Sequence, residues 1–261
     1  MFNLEFLAVI RANELDAFER ALPKSARVLE LGGGTGQQAL MLAERGFDVV
    51  SIDVQASEYR EHRVFPVLDY DGRNLPFADD SFDAVFSSNV LEHVLDLRSL
   101  MSEQARVLRP GGVGVHAMPT HGWRFWTSVT HYIDVIQRLI GSLPGLLPRS
   151  LSPSGLLLAP LQGAKQCAAI LIKGAVPQRH GERGNVITEL AYFHPSWWQR
   201  EFEAQGYSVL EDHSMGLFYT GYMSLGPRLC MDKRRRLSRV LGSACHLFTI
   251  SPQERAGKKD G

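Results

Sequence analysis

The stretch of this 261-residue chain with most chemistry in it is Val28-Leu29-Glu30-Leu31-Gly32-Gly33-Gly34-Thr35-Gly36. An apolar run carrying one acid breaks into four glycines within five residues, and Gln38-Ala39-Leu40-Met41-Leu42-Ala43 follows with a helical pattern. That order spells a strand, a tight turn and a helix start. Glycine admits positive φ and lets a ligand approach the main chain. The helix N-terminus adds unpaired N–H groups and the positive end of a dipole. Such a turn is built to hold a polar cofactor. Gly32, Gly34 and Gly36 do not complete a dinucleotide G-x-G-x-x-G, because Gln37 stands where the third glycine would fall. A phosphate loop is excluded as well, since no Gly-Lys-Ser/Thr follows. Glu30 beside the turn would repel a pyrophosphate and attract an ammonium group. That sign fits a cofactor with a free amino-acid end, of which S-adenosylmethionine is the commonest.

A second acid lies where such a cofactor would need it. Phe47-Asp48-Val49-Val50-Ser51-Ile52-Asp53 reads as a second strand, and Asp53 at its end can accept from both ribose hydroxyls. Asp71-Gly72-Arg73-Asn74-Leu75-Pro76-Phe77 then precedes the apolar strand Ser81–Ser88. Val90-Leu91-Glu92-His93-Val94 follows, then a helix through Val107, a turn at Arg109-Pro110-Gly111-Gly112 and a strand over 113–118. With five such pieces in order, residues 27–118 resemble the core of the class I S-adenosylmethionine-dependent methyltransferases. The nearest likeness is to the group sharing LELGxGTG, LPFxDxSFDxV, VLEHV and RVLRPGG. The resemblance implies that Glu30, Gly32, Gly34 and Gly36 hold the methionine portion and that Asp53 holds the ribose. It aligns Asp71 with the acid that meets the adenine amino group, with Gly72 beside it and Asp69 as a competitor. Ser88 and Asn89 match the backbone segment near the sulfonium.

Methyl transfer asks for alignment and exclusion of water, and an oxygen or nitrogen acceptor gains from a base that takes its proton. Two histidines stand where ligands of open α/β sheets gather. His116 is near the carboxyl end of the 113–118 strand, and His121 follows in Pro119-Thr120-His121-Gly122. Both are candidate catalytic residues. His131 and His194 are weaker candidates, and His93 reads as a structural partner of Glu92. Two other function classes stay open: an NAD(P)-binding oxidoreductase, disfavoured by Gln37 and Glu30, and a cofactor-binding protein without turnover.

The expected architecture is α/β, a doubly wound, mostly parallel seven-stranded Rossmann-like sheet with a helical insertion after strand 5. Residues 1–26 carry helical signals, with Asn13 and Asp16 resembling a capping pair. Residues 27–118 form the cofactor half, 119–190 the insertion, 191–250 the completion of the sheet, and 251–261 a polar tail expected to be disordered. In the insertion, apolar residues recur at helical spacing over Trp123–Ile140. Pro144, Pro148, Pro153 and Pro160 then interrupt a leucine-rich stretch, which should not be helical throughout. The insertion reads as a lid, as a surface dipping into a bilayer interface through 141–176 to reach a lipid-linked acceptor, or as a dimer contact.

Lys plus Arg and Asp plus Glu number 28 each, so no global field favours nucleic acid. The basic cluster Lys233, Arg234, Arg235, Arg236 and Arg239 reads as a solvated surface. Cys167, Cys230 and Cys245 lie far apart, which suggests reduced thiols in the cytoplasm and no metal-ligand spacing. The expected acceptor is a small molecule, lipid or saccharide, met in the cytoplasm or at a membrane periphery.

Overall fold

The fold is taken from a computed structural model that describes residues 4–146, 153–222 and 226–253. Helix α1 (Leu4–Ala21) leads into strand β1 (Arg27–Leu31), helix α2 (Gln37–Glu44), and strands β2 (Asp48–Val54) and β3 (Val67–Tyr70). Then come β4 (Phe82–Ser88), α3 (Leu97–Val107) and β5 (Leu108–Pro119). The insertion follows as α4 (His121–Ser142), α5 (Pro153–Gly174) and the short α6 (Glu189–Tyr192). Helix α7 (Pro195–Ala204), β6 (Tyr207–Ser214), α8 (Met231–Leu241) and β7 (Cys245–Pro252) complete the chain. The strands form one sheet in the order β3-β2-β1-β4-β5-β7-β6. Only β7 runs against its neighbours; β1 to β5 pair in parallel. This is the expected seven-stranded doubly wound sheet with a helical insertion after the fifth strand.

Both faces of the sheet are covered, so its central strands are apolar on both sides. On one face Leu15 and Phe18 of α1, Leu22 just after it, and Leu42 of α2 pack against Val28, Phe86, Val115 and Leu247. On the other, Leu97, Leu100 and Met101 of α3 and Trp198 and Phe202 of α7 pack against Leu29, Val85, Phe248 and Ile250. The strand order reverses between β1 and β4, and the crevice outside their carboxyl ends is where open α/β sheets bind ligands.

Two local expectations are corrected. Asn13 does not start a helix: α1 runs through it, and its side-chain amide donates to the Val9 carbonyl one turn back. Arg109-Pro110-Gly111-Gly112 is no free turn but part of β5. Leu108 pairs with Phe82, the register then shifts, and Gly111 at φ 79° accommodates the irregularity. In the insertion the proline-punctuated stretch is, as expected, not one regular helix: a 3₁₀ turn (Leu143–Leu146) follows α4, although α5 itself runs through Pro160. Pro153 opens that helix, where its missing N–H costs nothing. Of the tail, residues 251 and 252 extend β7, and 254–261 lie outside the described residues.

Candidate active site

The glycine turn between β1 and α2 is tighter than its Gly-x-Gly spacing suggests. Gly32, Gly34 and Gly36 take φ of 69°, 55° and 74°, values that residues with a Cβ rarely adopt. Gly33, which has no such φ, is restricted from behind: a Cβ there would lie 2.0 Å from Ser51 Oγ and 2.8 Å from Glu30 Oε2. Gly36 caps α2, and a Cβ on it would strike Phe65 at 2.8 Å, so its role is to close the turn.

Glu30 sits beneath this turn and does not line the crevice. It is buried, and its Oε2 accepts from Ser51 Oγ at 2.5 Å. Burial pushes its carboxyl up to about 8, with Asp53 adding to the rise and the Ser51 hydrogen bond opposing it. Asp53 is placed differently. Its Oδ2 accepts from the Gly34 amide at 3.0 Å and its Oδ1 from the Val54 amide at 2.8 Å, so the carboxylate is fixed at the rim of the crevice. Asp71 lies beyond it in an exposed turn, accepting from the amides of Arg73 and Asn74 and from the Asn74 side chain. The Asn74 amide bond, chiefly, holds its carboxyl below the usual range. Asp69, the competitor for this place, is paired to Arg60 and Arg63 at 2.8 Å each.

These residues open onto one cavity of about 1780 Å³. Gly32, Gly34, Asp53, Asp71, Gly72, Ser88 and Asn89 line it; Glu30 and Gly36 support it from behind. Asn89 holds φ 57°, and its amide nitrogen donates to the Ala117 carbonyl. The turn thus projects Ser88 and Asn89 from the end of β4 into the crevice. A site for one small ligand commonly measures roughly 300–1,000 Å³, so there is room for two reactants side by side.

Neither histidine expected to be catalytic reaches the cavity. His116 is fully buried on the α7 side of the sheet, with Nδ1 against Ser87 Oγ at 2.8 Å and its ring stacked on Phe202. Burial holds its imidazole down near about 3, so it stays neutral in the core. His121 opens α4 but faces solvent, stacked on His194 at 4.7 Å. His131 fastens α4 to the end of α5 by hydrogen bonds to Tyr222 Oη and the Gly174 carbonyl. Three imidazoles do line the cavity: His62, from the 3₁₀ turn Arg60–His62 on the cofactor side, His93, from the turn after β4, and His180, from the loop after α5. Burial first, and His180 after it, lower His93 below the usual imidazole range, against the pull of Glu92.

The rest of the wall comes from elements whose role the sequence did not announce. Arg11 of α1 pairs with buried Glu14 at 2.6 Å. The Asn89 amide faces it, and its oxygen accepts from both Arg11 Nη atoms at 2.8 and 2.9 Å in the orientation that satisfies both groups. Trp123, Arg124 and Thr127 come from α4, and Thr220 and Tyr222 from the loop before α8. Buried Arg124 pairs with buried Glu189 at 3.2 Å, and Glu189 Oε1 accepts from the amides of His180 and Gly181. These bonds hold the insertion's own elements together beside the cavity.

The donor set fits S-adenosylmethionine: a turn with no room for side chains, a rim carboxylate with lone pairs left for ribose hydroxyls, and a second acid in an open turn. Comparison with known proteins agrees. Residues 29–115 match the family model described as a methyltransferase domain. A demethylmenaquinone methyltransferase of Corynebacterium urealyticum is 44% identical over 88 residues, covering 33% of this chain and 38% of that protein. One of Renibacterium salmoninarum is 37% identical over 133 residues, covering 48% of this chain and 53% of that protein. The chain therefore spans about half or less of these curated relatives. Over the whole fold, a methyltransferase solved in complex with the Haloferax volcanii Trm112 activator superposes with a TM-score of 0.53 at 15% identity, covering 96% of each chain. In sequence, residues 29–115 match a methyltransferase domain, and over its whole length the chain shares the fold of a solved methyltransferase.

Proposed function

We propose that the protein transfers a methyl group from S-adenosylmethionine to oxygen or nitrogen of a small-molecule, lipid or saccharide acceptor. The observation that carries this reading is the single cavity running from the glycine turn to the wall made by Trp123, His93 and His180. The bound cofactor supplies an electrophilic methyl on its sulfonium. The chain's own part is positioning. Asp53 and the turn amides hold one reactant, and the Arg11–Asn89 contact fixes the segment between the two halves of the cavity. Trp123 and the loop carrying His180 cover the other half and exclude water.

An acceptor with an apolar body is supported by Leu7, Val94, Leu95 and Trp123 along the wall. Relatives named demethylmenaquinone methyltransferases point the same way. A lipid-borne acceptor is further supported by the outer surface of α4, the turn after it and α5, where Ile136, Ile140, Leu143, Leu171 and Ile172 are exposed. Among the described residues no helix is long and apolar enough to cross a membrane, so such contact would be peripheral.

Incubating the protein with cell extract and methyl-labelled S-adenosylmethionine, then identifying the labelled product, tests the reading. A labelled small molecule or lipid is the expected result. Tight cofactor binding with no labelled product in any fraction would leave a cofactor-binding protein without turnover.

A further inference from the structure

Glu92 is the most unusual acid in the chain. It is 2% exposed, and among the described residues neither of its carboxylate oxygens receives a hydrogen bond. A carboxylate buried in that condition is costly unless a cation or a proton meets it. The groups that face it are two imidazoles. His180 Nε2 lies 3.6 Å and His93 Nε2 3.8 Å from Glu92 Oε1, too far for hydrogen bonds, and the three ligand atoms all lie within 4.8 Å of one another. We propose that Glu92, His93 and His180 bind one divalent first-row transition-metal ion at the acceptor end of the cavity.

The chemistry of the donors selects the ion. Two imidazole nitrogens and one carboxylate suit zinc, cobalt, iron or manganese, whereas magnesium and calcium prefer all-oxygen sets. Ligands bound at about 2.0–2.2 Å stand roughly 3–3.4 Å apart around a tetrahedral or octahedral ion. The 3.6 and 3.8 Å separations from Glu92 need to close by a few tenths of an ångström, and that between the two imidazole nitrogens, within 4.8 Å, by up to about 1.5 Å through rotation of the partly exposed rings.

The three residues are also held in place by main-chain bonds. Glu92 and His93 share the 3₁₀ turn Leu91–His93 after β4. The Glu182 amide donates to the Glu92 carbonyl at 3.0 Å, and Gly181 fits there because a Cβ would lie 2.9 Å from that oxygen. Glu189 receives the amides of His180 and Gly181, which sets the loop that carries His180. Side chains from only these two segments would leave further coordination positions open. His93 and His180 line the cavity, so an acceptor oxygen or nitrogen can fill one. That last use rests on the methyl-transfer reading; the metal site itself does not.

The test is titration of chelator-treated protein with cobalt(II) alone, followed by its visible absorption and then by displacement with zinc(II). The expected result is one saturable equivalent. His93→Ala and His180→Ala, both partly exposed positions checked for folding by circular dichroism, should each weaken it at least tenfold. His194→Ala, at the surface pair with His121, should leave it unchanged. Absence of saturable binding in the parent protein would overturn the proposal. So would binding that persists undiminished in the His93 and His180 variants. Calorimetry with S-adenosylmethionine on the same samples reports separately on the methyl-transfer reading.

Discussion

At the scale of single residues, the two acids of the cofactor half divide their work by burial. Asp53 keeps lone pairs at the rim while two amides fix its direction. Asp53→Ala should therefore weaken S-adenosylmethionine binding by about 1–3 kcal/mol, as loss of hydrogen bonds from a charged acceptor does. Calorimetry checks this, and unchanged affinity would remove Asp53 from the site. Glu30 acts on stability. Its carboxyl rises from 4.5 to about 8 in the fold, so between those values the folded chain holds a proton that the unfolded chain releases. Stability should then fall as pH rises through that window. Glu30→Gln keeps the partner for Ser51 without the charge, so its denaturation midpoint should vary less between about pH 5 and pH 8 than that of the parent. Parallel curves for the two proteins would show that the Glu30 proton is not what links fold and pH.

At the scale of elements, what the sequence revealed was what neighbouring residues decide among themselves. The glycines at 32, 34 and 36 and the apolar runs of β1, β2 and β4 are local signals, and the structure places each where its pattern says. The histidines were misjudged because nearness to a strand end does not say which face a side chain takes. His116 turns into the α7 side of the core and His121 into solvent. His180 carries no local signal; it is brought to Glu92 by the insertion, through contacts that involve Glu189 and Glu182. Arg234 shows the same gap in a charge run. Its cluster reads as surface, yet its guanidinium is buried and donates to the carbonyls of Phe218, Gly226 and Leu229, fixing the loop before α8. Helix α4 is legible as amphipathic and α5, punctuated by prolines in sequence, is not; the apolar outer positions of the α4–α5 hairpin can be tested directly. Ile140 and Ile172 are 61% and 77% exposed, so replacing both by glutamate should leave the fold intact. If the hairpin enters a bilayer interface, the parent should co-sediment with vesicles and Ile140→Glu/Ile172→Glu should remain in the supernatant. Equal supernatant fractions for both would rule out that surface as a membrane contact.

At the scale of the whole molecule, the insertion is fastened within itself by the buried Arg124–Glu189 pair, and to the turn after β4 by the Glu182 amide, which donates to the Glu92 carbonyl. Both side chains are buried, one on α4 and one at the start of α6, and Glu189 also orders the loop at His180. Removing one partner of a buried ion pair typically costs about 3–5 kcal/mol because the other charge is left uncompensated. That cost would fall on the insertion and not on the sheet, whose cores lie on either side of β1, β4 and β5 and do not include this pair. Glu189→Ala should accordingly loosen residues 174–194 while strand amides keep their protection, a split that hydrogen exchange resolves. S-adenosylmethionine affinity should stay within about threefold of the parent, or roughly 0.7 kcal/mol, because Asp53 is held by the Gly34 amide and the glycine turn packs on Ser51, Tyr59, Phe65 and Val90 of the cofactor half. Methylation of the acceptor should drop far more steeply. Loss of cofactor affinity in step with loss of acceptor turnover would instead mean that sheet and insertion act as one unit, and that the cavity is built only when the lid is fastened.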